Sequence, residues 1–122
     1  MTKIAEDHDR EERIINDIVV DAYDETERAL GWHCYLSDNL SCPFKAECIT
    51  LRKTSPLCLG EKVTVKELAS EDECMNEIFV MVTWSGRQLA VPLSQLSPVN
   101  ADEDTLQAVE DWHYWCARGY QF

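Results

Sequence analysis

The sequence predicts an α+β domain: a small SH3-like β-barrel flanked by an N-terminal and a C-terminal helix. Three observations carry this. Apolar residues recur at helical spacing near both ends, several short β-prone runs lie between them, and a two-residue turn joins two of those runs into a hairpin. With 122 residues, 45% of them apolar, the chain reads as one domain over 1–122 with enough apolar side chains for a core.

The first segment reads as a helix. Ile15, Ile18, Val19, Ala22, Thr26, Ala29 and Leu30 share one face, and Gly31 supplies a left-handed stop. Asp17, Asp21, Asp24 and Arg28 form a second stripe, expected to meet water. Residues 1–8 are polar and expected to fray. Residues 32–36 read as a short extended segment. Residues 37–43 read as a loop, because Asp38, Asn39 and Ser41 favour turns and Pro43 cannot join a central strand.

The middle reads as β. Residues 44–52, 62–66, 78–84 and 88–91 are the candidate strands, with Ser85-Gly86 as the hairpin turn. A loop starting at 53 runs to Gly60, and Glu71-Asp72-Glu73 is a charged loop. Residues 92–96 read as one tight helical turn before a last short strand at 97–99. The end is helical again: Asp102, Glu103 and Asp104 suit a helix start, and Leu106, Val109, Trp112 or His113, and Cys116 continue at helical spacing up to Gly119. There are no internal repeats.

Charge narrows the function. The net charge is −12, from 23 acidic against 11 basic residues. The acids concentrate in residues 1–31 and 101–122, while the middle is close to neutral. No basic footprint for a phosphate backbone exists, so nucleic acid is not the expected partner. Cations and basic proteins are. No apolar run approaches the ~18–20 residues of a membrane span. The start lacks the basic and apolar stretches of a secretory signal, so a cytoplasmic protein is expected. The six cysteines lack metal-knuckle or redox-pair spacing and read as free, packing thiols.

Calcium is the expected ion. It takes about six to eight oxygen ligands, many of them backbone carbonyls of irregular loops. Asp38, in a loop that also holds Ser37, Asn39 and Ser41, offers that mixture. If 32–38 folds back along the first helix, Asp38 reaches the level of Asp17 and Asp21, and Asp24 extends the same stripe. The competing reading makes Asp38 a turn cap and the stripe a solvated face. An EF-hand is excluded. Counted from Asp102, position 5 is Leu106 and position 6 Gln107; counted from Asp17, position 6 is Ala22 rather than glycine. His113 and Cys116 sit three apart, but no four-ligand zinc set accompanies them. No nucleophile motif or phosphate loop points to an enzyme.

A resemblance sharpens this. The stretch Arg13-Ile14-Ile15-Asn16-Asp17-Ile18-Val19-Val20-Asp21-Ala22-Tyr23-Asp24, then Gly31-Trp32, Tyr35-Leu36, Asp38-Asn39-Leu40 and Pro43-Phe44-Lys45-Ala46, resembles the cyanobacterial CcbP family. Gly60-Glu61-Lys62-Val63 and Gly86-Arg87-Gln88-Leu89-Ala90-Val91-Pro92-Leu93 fit it too, so the likeness runs over about residues 10–120. It implies a calcium-binding protein without EF-hands, with ions on negative surface, controlling free calcium in connection with heterocyst differentiation. The family's loop aspartate maps onto Asp38. A calcium buffer or sensor is therefore expected, with Asp38, Asn39, Leu40, Asp17, Asp21 and Asp24 as candidate ligands. The alternative is an acidic SH3-like module for protein partners.

Overall fold

In the computed structural model, residues 8–19, 24–52, 55–70, 74 and 77–117 are described. Helix α1 spans His8–Arg13 and runs into a π-helical turn at Ile14–Ile18. Helix α2 spans Glu25–Asn39. The strands are β1 (Phe44–Cys48), β2 (Lys62–Leu68), β3 (Phe79–Trp84), β4 (Arg87–Pro92) and β5 (Leu96–Val99). A 3-10 turn at Leu93–Gln95 joins β4 to β5, and α3 spans Glu103–Ala117.

The strands form one antiparallel sheet in the order β4-β3-β2-β1-β5. The expected SH3-like barrel is corrected here: the sheet is open, with β4 and β5 as its two edges. Alternation along a strand shows which side chains turn inward, and this pattern is the same in open and closed sheets. The inward set is Phe44, Ala46 and Cys48 from β1, Val63 and Val65 from β2, Val80 and Val82 from β3, with Val91 and Leu96 from the edges. Ser85 and Gly86 both have positive φ, 49° and 75°, as the two-residue hairpin between β3 and β4 requires. Arg52 holds Glu77 through two nitrogens, at 2.8 and 2.9 Å, and so ties the segment after β1 to the approach of β3.

The first half of the chain departs from expectation. The helix does not run unbroken to residue 31, and 32–36 is not extended. Instead α2 begins at Glu25, capped by the Asp24 carboxylate on the Glu27 N–H at 2.8 Å, and continues through Trp32 to Asn39. Trp32 decides this. As a helical residue it is fully buried, with ring centroids 5.0 Å from Trp112 and 5.7 Å from Trp115 of α3. Gly31 is thus no helix stop. It lies inside α2, where a Cβ would collide with the Ile18 carbonyl oxygen at the end of the π turn. Close backbone approach is the second use of glycine, and periodicity does not distinguish it from the first. Residues 1–7, Asp21, the 71–73 loop and Gly119 lie outside the described residues.

Three helices meet at one carboxylate. Asp111 of α3 has no exposed surface, yet it sits within 3.1 Å of Arg10 Nη1, 2.5 Å of Arg13 Nη2 and 2.6 Å of the Tyr35 hydroxyl. A charge is tolerated at such depth only when it is paired and hydrogen-bonded. Burial, together with donation to Asp111, pushes the Tyr35 phenol up to about 12, so it stays a neutral donor.

Two outcomes follow. Asp111→Ala removes the partner of two arginines, and urea denaturation should show a loss of about 3 kcal/mol. An unchanged midpoint would show that α1 is held by other contacts. Gly31→Ala should cost about 1–3 kcal/mol through overpacking against Ile18, whereas a true helix stop in the left-handed region would lose its φ instead.

Candidate functional site

The C-terminal end of α2 and the N-terminal end of α3 meet and are stitched together. Leu40 leaves the helix in an extended conformation while its N–H still reaches the Leu36 carbonyl at 2.8 Å. Asn39 donates its side-chain amide to the Tyr35 carbonyl at 2.8 Å. The Ser41 N–H donates to Thr105 Oγ1 at 2.9 Å, and Thr105 Oγ1 donates to the Asn39 carbonyl at 3.4 Å. On the α3 side, the Asp102 carboxylate accepts the Thr105 N–H at 2.7 Å, capping the helix. The Ser41 side chain, with Thr105, holds the Asp102 carboxyl below its ordinary range. A cleft of about 450 Å³ opens beside this junction, bounded by Ser41, Phe44, Asn100, Asp102 and Thr105 among others.

The electrostatics of this end favour a cation. The last carbonyls of a helix carry the negative end of its dipole, and basic side chains commonly offset them. The last turn of α2 holds no basic residue, and Asp38 adds a carboxylate there. Asp38 is exposed, and its described partner is the Cys34 thiol at 3.9 Å, a weak contact. The oxygens that the sequence supplies along 37–41 are the Asp38 carboxylate, the Asn39 amide oxygen, the Ser41 hydroxyl and the last carbonyls of α2. This hard-oxygen set fits calcium and does not fit the softer transition metals. Among the described residues, no group of three or more His, Cys, Asp or Glu side chains is placed to hold a metal. An ion here would therefore draw on backbone carbonyls and water beside Asp38, not on a cage of carboxylates.

The remaining candidates lie elsewhere. Asp24 caps the opposite end of the 15-residue α2. That places it about 21 Å from Asp38 along the axis, at ~1.5 Å per residue. Because 32–39 is helical, it does not fold back along the first helix, so Asp24 and Asp38 do not share one ion. Asp17 is exposed on the π turn, whose end abuts Gly31 in the middle of α2. Asp21 lies outside the described residues. His113 and Cys116 do not form a metal or nucleophile pair. The His113 ring nitrogen Nε2 bonds the Leu93 carbonyl at 3.3 Å, and burial pushes the Cys116 thiol up to about 12. All six cysteines are free.

Sequence reasoning missed the participants around Asp38. Thr105 gave no signal beyond its place in an acidic helix start. Asp111 did carry one: it lies between Ala108 and Trp115 on the buried face of α3, where a charge requires a partner.

A family profile described as calcium binding, that of the CcbP proteins, matches residues 12–116. The chain belongs to the CcbP family of calcium-binding proteins. Two solved structures are similar over the full length of both chains at 37% identity. One is described as the crystal structure of Anabaena CcbP, with a TM-score of 0.87. The other is described as a calcium-binding protein in the calcium-binding form, with a TM-score of 0.83. Among curated proteins no match is found. The CcbP family is one of binding proteins, not catalysts, and no helix among the described residues is long and apolar enough to cross a membrane.

A pH dependence accompanies the C-terminal half of α3, where His113 lies. Burial lowers the His113 pKa from its ordinary value, against the opposing pull of the Leu93 and Leu96 carbonyls and Glu110. The fold thus favours neutral His113, while the unfolded chain takes up a proton near pH ~6.5. The melting temperature should fall as pH drops below about 6.5, until the folded-state pKa is passed. In His113→Gln that part of the slope should vanish. An unchanged slope would assign it to the carboxylates.

Proposed function

We propose that this CcbP-family protein binds calcium at the C-terminal end of α2, through Asp38 and the oxygens of Asn39, Leu40 and Ser41, and acts as a cytoplasmic calcium buffer. The observation that carries the reading is a helix ending in a carboxylate, with no basic residue in its last turn. A cation would relieve that repulsion at the negative end of the dipole. The similar structure described in a calcium-binding form, together with the family profile, supports calcium as the ion.

Buffering is favoured over sensing for a structural reason. A sensor needs two conformations with different affinity. Here the protein's own bonds between Ser41, Thr105 and Asn39 hold the segment against α3, so capture requires no large opening. By family resemblance the role would be control of free calcium in heterocyst differentiation. A basic protein partner is the second reading, supported by the excess of acids in residues 1–31.

Calorimetric titration with calcium, in physiological salt with excess magnesium, tests the site. Saturable binding is expected, and Asp38→Ala should weaken it by roughly tenfold, about 1.4 kcal/mol. Asp24→Ala should lower stability by about 1 kcal/mol through loss of a helix cap while leaving affinity unchanged. Heat abolished by magnesium would reduce the acidity to counterion attraction. Affinity lost in Asp24→Ala but kept in Asp38→Ala would move the site to the other end of α2.

A further inference from the structure

We propose that Thr105, a fully buried residue of α3, is the positioning residue of the calcium-binding segment, setting the direction of the backbone oxygens at 37–41 without touching the ion. The inference rests on the reading of Asp38 as a ligand and concerns what orients the atoms around it.

The case begins with the path of the backbone. In a continuing helix the Ser41 N–H would bond the Ser37 carbonyl, four residues back. Here it bonds Thr105 Oγ1 instead, at 2.9 Å. Diverting this donor ends α2 and takes from the Ser37 carbonyl its intrahelical partner. The same hydroxyl then spends its proton on the Asn39 carbonyl, at 3.4 Å. One oxygen atom therefore fixes the backbone at positions 39 and 41, and Leu40 lies between two anchors. The Asn39 carbonyl accepts from Thr105 with one of its two lone pairs.

Thr105 is itself immobile. It has no exposed surface, and its own N–H is held by Asp102 at 2.7 Å. Asp102 and Ser41 are thus both bonded to Thr105, so the helix cap of α3 and the end of α2 share this residue. A buried hydroxyl with both a donor and an acceptor satisfied orders its neighbours, and ligand direction governs binding by a calcium site made of carbonyls.

The test compares two substitutions by calcium calorimetry and by amide exchange of the calcium-free protein. Thr105→Val removes the hydroxyl, leaves the Ser41 N–H without its acceptor, and should weaken calcium binding about fivefold. Thr105→Ser keeps the hydroxyl, loses a core methyl, and should bind within about twofold of the unaltered protein while melting lower. Exchange of the Ser41 amide, without calcium, should accelerate in Thr105→Val and not in Thr105→Ser. If Thr105→Val does not fold, Ser41→Pro removes the donor instead, since Leu40 already has the extended conformation that precedes proline. It should weaken calcium binding more than Ser41→Ala, which removes only the hydroxyl. The proposal is overturned if Thr105→Val binds calcium normally, or if Thr105→Ser binds as weakly as Thr105→Val. Absence of saturable binding in the unaltered protein would overturn the calcium reading itself and, with it, this role for Thr105.

Discussion

Asp111 sits at zero exposure with Arg10, Arg13 and Tyr35 converging on it. Those partners come from α1 and α2, so the arrangement of all the helices depends on this one desolvated carboxylate. Helix α1 has no buried residue of its own. Its attachment is therefore mainly polar: two arginines reach Asp111, and the Tyr114 hydroxyl donates to Glu11 at 2.7 Å. The π turn that follows contributes the apolar part through Ile14 and Ile18, and Gly31 lets that turn reach the backbone of α2. An isolated carboxylate would not survive this environment in charged form. Saturated by protein cations, Asp111 is a structural anchor and not a place for calcium.

The same pair of helices carries both the anchor and the candidate site. Tyr35 on α2 points to Asp111, and Asn39 at the end of that helix donates back to the Tyr35 carbonyl. On α3, Thr105 holds the segment after α2 while Asp111 lies further along the helix. The C-terminal end of α2 is thus held by packing shared by α2 and α3, centred on Trp32 against Trp112 and Trp115. The sheet contributes differently. Its inward residues support α3 through the 3-10 turn and β5, and none of its strands supplies a candidate ligand.

Much of the β region was legible because its signals are local. Alternating apolar residues located β2, and the β-prone run before Ser85-Gly86 located β3 and its turn into β4. The 3-10 turn and α3 were legible for the same reason. Residues 32–39 misled because Trp32, Tyr35 and Leu36 satisfy both a short strand and a helix face, and Gly31 looked like a stop. Asp38 was legible as a candidate from its turn-forming neighbours, although it sits at a helix end and not within the loop expected there. Asp24 was grouped with it by stripe alone, and the helical path of α2 separates the two.

By itself the sequence determined the family, the acidity that attracts cations, the positions of β2 to β5 and the last helix. These follow from residue type and short-range spacing, which act within a few positions along the chain. Tertiary structure alone decided that the sheet stays open, that Gly31 is a crossing point, that Thr105 holds the segment after α2, and that Asp111 is filled by arginines. The bonds from Arg10 and Arg13 to Asp111 span 101 and 98 residues. Pairings over such separations leave no periodic trace, because they depend on how packed elements approach one another in space.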